Sequence, residues 1–234
     1  MEQPKGVRTW PAMEPVGGDS RSYVRIRTGK TNGRTMEYKS VMGAILSKEN
    51  LLRAYKRVVS NGGAPGVDGI KVGELKAYLQ AHWEGIQREL LDGDYRPAQV
   101  RGVEIPKANG GKRLLGIPTV MDRFIQQAVQ QVLSRLWDMD FSEYSYGFRP
   151  GRNAQQALLQ ATQYINEGYQ DVIDLDLKSF FDKVNHDKIM ALLRKKIQDK
   201  ALLRLIRRYL QSGIMLGGVS QQREEGTPQS LPRC

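Results

Sequence analysis

Residues 171–187 read DVIDLDLKSFFDKVNHD, and no other segment says more about the architecture. The first seven residues combine β-branched side chains with an alternation of apolar and acidic positions, which predicts a strand over 171–177. A helix is predicted to begin near Asn185, and His186 is interpreted as part of its cap. On a strand, Asp174 and Asp176 are two positions apart, so their side chains share one face.

The two aspartates have a chemical and a structural interpretation. Carboxylates at a strand end suit Mg²⁺, which prefers oxygen ligands, and phosphoryl transfer by two metal ions about 4 Å apart needs such groups. Acidic residues in this position also commonly cap the following element. The pair alone leaves both interpretations open.

The charge balance favours a polyanionic partner. The chain has 36 Lys and Arg against 25 Asp and Glu, a net charge of +11. Cations in such excess release counterions from phosphates; an anionic membrane, or no special partner, are the rival interpretations. The single cysteine, Cys234, excludes an intrachain disulfide or cysteine-based zinc site and fits a reducing, cytoplasmic compartment. No apolar run approaches the roughly 18 residues of a membrane span.

Periodicity divides the rest of the chain into helices and hairpins. Residues 1–45 lack hydrophobic periodicity and carry Pro, Gly and basic side chains, which predicts a flexible basic arm. One predicted helix follows Ser47 and ends at the glycine-rich segment 61–69, and others lie at about 72–91, 119–138, 153–168 and 199–211. The predicted strands lie at 99–105 and 112–117, joined by a hairpin turn, and in a second hairpin at 214–223. Helices and hairpins without regular βαβ alternation predict an α+β fold.

Residues 176–187 resemble motif A of the reverse transcriptases, and the surrounding blocks resemble those of the group II intron reverse transcriptases and maturases. In family order, these blocks are Ala64–Gly69, Tyr95–Pro97, Ile105–Lys107, Lys112–Thr119, Phe141–Arg152 and Glu225–Gln229. Together they are far more specific than any one alone. The resemblance implies the fingers (46–170) and an incomplete palm (171–234) of a right-hand polymerase. It also implies RNA-directed DNA synthesis that serves intron mobility and splicing.

The resemblance assigns metal and sugar contacts to motif A. Asp176 matches the first catalytic, metal-binding aspartate, and the backbone carbonyl of Leu177 would help to bind the Mg²⁺ ion. Phe181 matches the aromatic residue that lies under the incoming sugar and excludes a 2′-hydroxyl. A phenylalanine of the core is the alternative interpretation of Phe181.

The resemblance assigns further contacts to the nucleotide and to RNA. Lys107 and Arg113 match the residues that hold the incoming triphosphate, and Gln229 the motif B glutamine near the nucleotide. Arg149 and Arg152 stand among three aromatic residues at 144–148, a combination that suits a template strand through phosphate contacts and stacking. The implied partners are intron RNA as template, a primer and deoxynucleotides; core packing is the alternative for the aromatic residues.

The resemblance ends inside motif B. After Gln229 the family continues with glycines and a proline, whereas this chain reads Ser-Leu-Pro-Arg-Cys, and no Tyr-Ala-Asp-Asp block occurs. A frameshift, a premature stop or a cloning boundary would each produce this pattern. One aspartate and one carbonyl cannot hold two divalent ions, so we expect the 234-residue chain alone not to polymerise DNA. A non-catalytic intron-RNA-binding fragment and a degraded gene product are the alternatives.

Overall fold

The computed structural model describes residues 24–27, 35–38, 40–106, 110–221 and 223–227. Its helices are α1 Val41–Ile45, α2 Lys48–Asn61, α3 Leu75–Asp92, α4 Val120–Trp137, α5 Ala154–Asn166, α6 His186–Arg194 and α7 Lys200–Gln211. Its strands are β1 Val24–Arg27, β2 Thr35–Tyr38, β3 Val100–Pro106, β4 Lys112–Ile117, β5 Ile214–Leu216 and β6 Val219–Gln221. The predicted mixture of helices and strands is confirmed.

The core lies between helices α1, α2, α3, α4 and α7. Trp83 of α3 meets Phe124 of α4 edge to face, with ring centroids 5.9 Å apart, and both side chains are almost completely buried. The buried positions of α4 recur at helical spacing, as the sequence predicts. Burial of this shared face is the main contribution to the stability of these helices.

The glycine-rich loop at 61–69 packs against the start of α4. A Cβ atom on Gly66 would lie 2.6 Å from the Cα of Thr119, so only glycine allows this approach of the two backbones. Arg123 of α4 donates hydrogen bonds to the carbonyls of Gly62 (3.0 Å) and Ala64 (2.9 Å). Gly66 therefore allows this loop to pack closely against the backbone at the start of α4.

Four of the strands form one mixed sheet in the order β4-β3-β5-β6. Strands β3 and β4 pair antiparallel, as the predicted hairpin requires, and β5 pairs antiparallel with β6. Strand β5 joins β3 in parallel, with Val100 opposite Ile214. This parallel contact places the hairpin at 214–221 beside the hairpin at 100–117, although more than a hundred residues separate β3 from β5.

Two predictions about elements are wrong. Residues 171–177 form no strand, and Val172, Ile173 and Leu175 are each more than 80% exposed, at 88%, 83% and 89%. A strand needs a hydrogen-bonded neighbour, and none of the described segments pairs with this one. The predicted arm also ends too late, because α1 is already buried in the core from Val41 onward. The predicted arm residues 1–23, 28–34 and 39 lie outside the described residues.

Candidate functional site

The first part of motif A, residues 176–184, forms a tight turn, the motif A turn, in which Asp176 lies at the surface. Asp176 accepts a hydrogen bond at Oδ1 from the backbone N–H of Leu177 at 2.9 Å. The Leu177 carbonyl accepts from the N–H of Phe180 at 3.3 Å, and Ser179 adopts a left-handed conformation, with φ +55°. The carboxylate therefore keeps most of its lone pairs directed to solvent, available to a cation.

The described residues do not form a complete divalent-metal site. No group of three or more His, Cys, Asp or Glu side chains among them is arranged to hold a metal ion. A two-metal centre needs several anionic ligands to offset the repulsion between the ions. Asp176 and the Leu177 carbonyl have the right oxygen donors, but they do not by themselves fit a complete magnesium centre.

The start of motif B is hydrogen-bonded to the motif A turn. The N–H of Gly226 donates to the Val184 carbonyl, and the N–H of Thr227 donates to the Phe181 carbonyl, both at 2.8 Å. His186, which is buried, lies with Nε2 2.7 Å from the Gly226 carbonyl oxygen. A carbonyl only accepts, so this Nε2 carries the hydrogen. Two blocks about forty residues apart in the sequence thus form one local structure.

Close contact explains the glycine at position 226. Gly226 has φ +78°, and a Cβ atom there would lie 2.6 Å from the Asp182 carbonyl oxygen. His186 is not the cap of α6, as the sequence had suggested: the side chain of Asn185 accepts from the Lys188 N–H and fills that role. His186 instead ties α6 to Gly226, a contact with no local signal in the sequence.

Phe181 lies at this junction with its ring partly accessible. The side chain is 55% exposed, and its ring packs edge to face on Phe180, with centroids 5.4 Å apart. It is not a residue of the buried core, so the core alternative is wrong. Its backbone carbonyl is fixed by the hydrogen bond from Thr227.

The structure does not describe the side chains of three residues that are predicted to contact the nucleotide. Lys107 and Gln229 lie outside the described residues, and of Arg113 only the backbone is described. That backbone pairs with Ile105 in the β3–β4 hairpin. The roles of these three residues stay predictions.

Arg149 ties together the loop between α4 and α5. Its Nε donates to Asp138 Oδ1 and its Nη2 to the Asp138 carbonyl, both at 2.9 Å. Its Nη1 donates to the carbonyls of Ser142 (2.6 Å) and Ser145 (3.1 Å). The side chain is only 8% exposed, and its guanidinium also covers the ring of Phe141 at 5.5 Å. Arg149 therefore has a structural role within the loop, and its predicted contact with RNA stays a prediction.

The other named groups of this loop are partly or largely exposed. The Arg152 guanidinium lies over the Tyr146 ring at 5.5 Å. Tyr144 is 57% exposed and Phe148 86%, so core packing does not explain them. Phe148 also has φ +56°, a left-handed conformation that costs a residue with a Cβ about 1 kcal/mol.

A buried network that the sequence did not predict centres on Asp122 of α4. Asp122 accepts at Oδ1 from the hydroxyls of Tyr95 (2.9 Å) and Tyr209 (3.1 Å). Its Oδ2 accepts from the Thr119 hydroxyl (2.7 Å) and the Ala98 N–H (3.1 Å). Burial raises the pKa of Asp122, and the hydrogen bonds partly offset that rise. The network joins the start of α4 to α7 and to the chain that enters β3.

Comparisons with known proteins agree with the resemblance. The family model described as reverse transcriptase (RNA-dependent DNA polymerase) matches residues 105–232. Protein YkfC of Escherichia coli (strain K12) is 34% identical over 211 residues, which cover 88% of this chain and 55% of that protein. The group II intron-encoded protein LtrA of Lactococcus lactis subsp. cremoris is 33% identical over 177 residues, covering 75% of this chain and 29% of LtrA. The chain thus spans about half, or less, of these relatives.

A solved structure shares the fold. A chain of the partial Cas6-RT-Cas1--Cas2 complex superposes with a TM-score of 0.54 over 84% of this chain and 32% of its own length, at 22% identity. Identity at that level indicates a common fold and nothing more. Within the described ranges, no helix has the length and apolar character to cross a membrane.

Proposed function

Because the chain belongs to the reverse transcriptase family, of the type that group II introns encode, we propose that it supplies the nucleotide-binding and template-binding part of an RNA-directed DNA polymerase. In this proposal, residues from α1 to about 170 are the fingers and residues 171–234 part of the palm. The residues before α1 are the basic arm. Intron RNA, a primer and deoxynucleotides are the proposed partners, and intron splicing and mobility the associated roles.

One observation carries the proposal: the hydrogen-bonded junction between the motif A turn and residues 226–227. The Thr227 N–H holds the Phe181 carbonyl, and in this proposal the half-exposed Phe181 ring would contact the sugar of an incoming nucleotide. Gln229, two residues beyond Thr227, would approach the same nucleotide. A junction that fixes two separate blocks is what a preorganised site requires.

The remaining roles follow from charge and donor type. Asp176 and the Leu177 carbonyl would contribute two of the oxygen ligands of a Mg²⁺ ion, which in this family supports nucleotidyl transfer when the centre is complete. Lys107 and Arg113 would neutralise the triphosphate. Arg152, stacked on Tyr146, would contact template phosphates.

Primer extension tests the catalytic part of the proposal. We expect the 234-residue polypeptide to extend no DNA primer on an RNA template, because its described residues offer no cluster of three potential metal ligands. Magnesium-dependent synthesis that Asp176→Ala abolishes would contradict this expectation. Asp174→Ala, which removes an exposed carboxylate two residues away, is the matched control and should leave any such synthesis intact.

RNA binding tests the part that does not need catalysis. With a net charge of +11, the chain is expected to bind RNA through phosphates, so its affinity should fall linearly on a log–log scale as salt increases. Fluorescence anisotropy of a labelled single-stranded RNA at several salt concentrations measures this slope. Absence of binding at low salt would reject the proposed template-binding role and favour a polypeptide without function.

A further inference from the structure

Phe148 combines two features that are unfavourable unless something outside the chain compensates for them. Its side chain is 86% exposed, so the ring gains almost nothing from burial. Its backbone has φ +56°, and Ser179 is the one other non-glycine residue with positive φ in the part of the chain that the structure describes. Such conformations persist where the surrounding structure imposes them, and they concentrate at ligand-contacting positions.

The surrounding structure does impose this conformation. The adjacent residue, Arg149, donates four hydrogen bonds to Asp138, Ser142 and Ser145. These bonds close the loop on itself and leave Phe148 projecting from it. A fixed loop therefore holds the ring in place. Because the loop is already ordered, little conformational entropy of the protein is lost when a ligand binds the ring.

We propose that Phe148 is a stacking platform for an unpaired base of single-stranded RNA. The inference rests on the proposed template-binding function and names a residue through which it acts. A base has a flat π-face that an exposed aromatic ring can cover, and such stacking tolerates any sequence. The bases of a duplex are already stacked on one another, so the ligand is single-stranded.

The neighbouring charges favour a nucleic acid over an apolar protein pocket. Arg152 follows Phe148 by four residues and is held over Tyr146 at 5.5 Å. Among the described residues no carboxylate pairs with Arg152, so its charge is available to a phosphate next to the stacked base. The net charge of +11 would attract a polyanion to the whole molecule.

The test pairs a protein variant with an RNA that lacks bases. The 234-residue chain and Phe148→Leu are each titrated with a labelled oligouridine of roughly eight nucleotides and with an abasic ribose-phosphate strand of the same length. We expect the unaltered chain to bind oligouridine about tenfold more tightly than the abasic strand, and we expect Phe148→Leu to lose most of that preference. Phe148→Trp, which keeps an aromatic face, should retain the preference.

Controls separate stacking from folding and from charge. Tyr169→Leu removes another aromatic residue, 67% exposed and outside the loop, and should leave the preference unchanged. Circular dichroism and the salt dependence of binding should be the same for all variants, because none of them alters a charge.

The outcomes distinguish the stacking role of Phe148 from the template-binding function on which it rests. If RNA binds and Phe148→Leu keeps the full preference for bases, the stacking role is wrong and template binding stands; an apolar protein partner would then be the better explanation of the exposed ring. If the unaltered chain binds neither strand at low salt, the template-binding function and the stacking role are both wrong.

Discussion

At the scale of single residues, Asp122 shows how a buried carboxyl group joins separate elements of the fold. Its two oxygens take hydrogen bonds from three hydroxyls and one backbone N–H. Asp122→Ala would leave these four donors without their acceptor, and each unsatisfied buried donor costs about 1–3 kcal/mol. We expect a loss of at least about 3 kcal/mol in the free energy of unfolding, measured by urea denaturation. Asp140→Ala, which removes a surface ion pair with Lys196, should cost less than about 1 kcal/mol.

The pKa shift of Asp122 predicts the direction in which the free energy of unfolding changes with pH. Burial raises the pKa of Asp122 above its ordinary value of 3.8, so the folded state binds this proton more tightly than the unfolded state. The free energy of unfolding therefore gains a contribution that is largest below 3.8 and falls as pH rises through the raised folded value. Alanine does not titrate, so the cost of Asp122→Ala should be larger near pH 4 than at pH 7. A cost that grows with pH over this range would contradict the direction of the shift.

At the scale of elements, the sequence predicted those whose signals are local. Helices α2, α4 and α7 begin and end within about two residues of their predicted bounds, because periodicity and flanking residues define them. The parallel pairing of β3 with β5 had no local signal. The same limit explains the wrong strand prediction at 171–177. Alternation shows that these residues suit a strand, but a strand forms only where a partner segment pairs with it.

The junction between motif A and residues 226–227 was also predictable only in part. The motif A and motif B blocks were recognisable from their residue types, but the hydrogen bond from His186 to Gly226 was not. That contact joins residues forty positions apart, and nothing in either segment specifies the other. The sequence therefore located the segments of the site, while their mutual arrangement depended on the fold.

Gly226→Ala tests whether the junction is as close as the geometry implies. The new Cβ would lie 2.6 Å from the Asp182 carbonyl oxygen at a backbone with φ +78°, so residues 225–227 should separate from the motif A turn. Hydrogen exchange should then become faster at the amides of residues 226 and 227, by about tenfold or more for a loss of roughly 1.4 kcal/mol.

Gly217→Ala is the matched control for this experiment. Gly217 also has positive φ, +57°, but a Cβ there meets no atom within 4 Å. Equal acceleration at residues 226 and 227 in both variants would mean that a general loss of stability, and not the close contact with Asp182, governs the effect.

At the scale of the whole molecule, burial is unevenly distributed. The core cluster draws on α1 to α4, α7 and nearby segments, whereas α5 has no buried residue. Exposed apolar side chains accumulate between residues 158 and 180: Leu158, Leu159, Ile165, Val172, Ile173, Leu175, Leu177 and Phe180. A surface of this kind is typical of an interface and is a liability when uncovered.

Self-association of the isolated 234-residue polypeptide is the expected consequence. We expect its sedimentation coefficient to rise with concentration, because association removes these side chains from water. Ile173→Lys combined with Leu175→Lys should weaken association by about tenfold or more, since each buried side chain of this size contributes roughly 1.5–3 kcal/mol. Val219→Lys, at a 63% exposed apolar position on β6, adds one positive charge elsewhere and should have little effect. If Val219→Lys weakened association as much as the paired substitution, net charge rather than the 158–180 surface would control it; a polypeptide that stays monomeric throughout would show that this surface does not associate with itself.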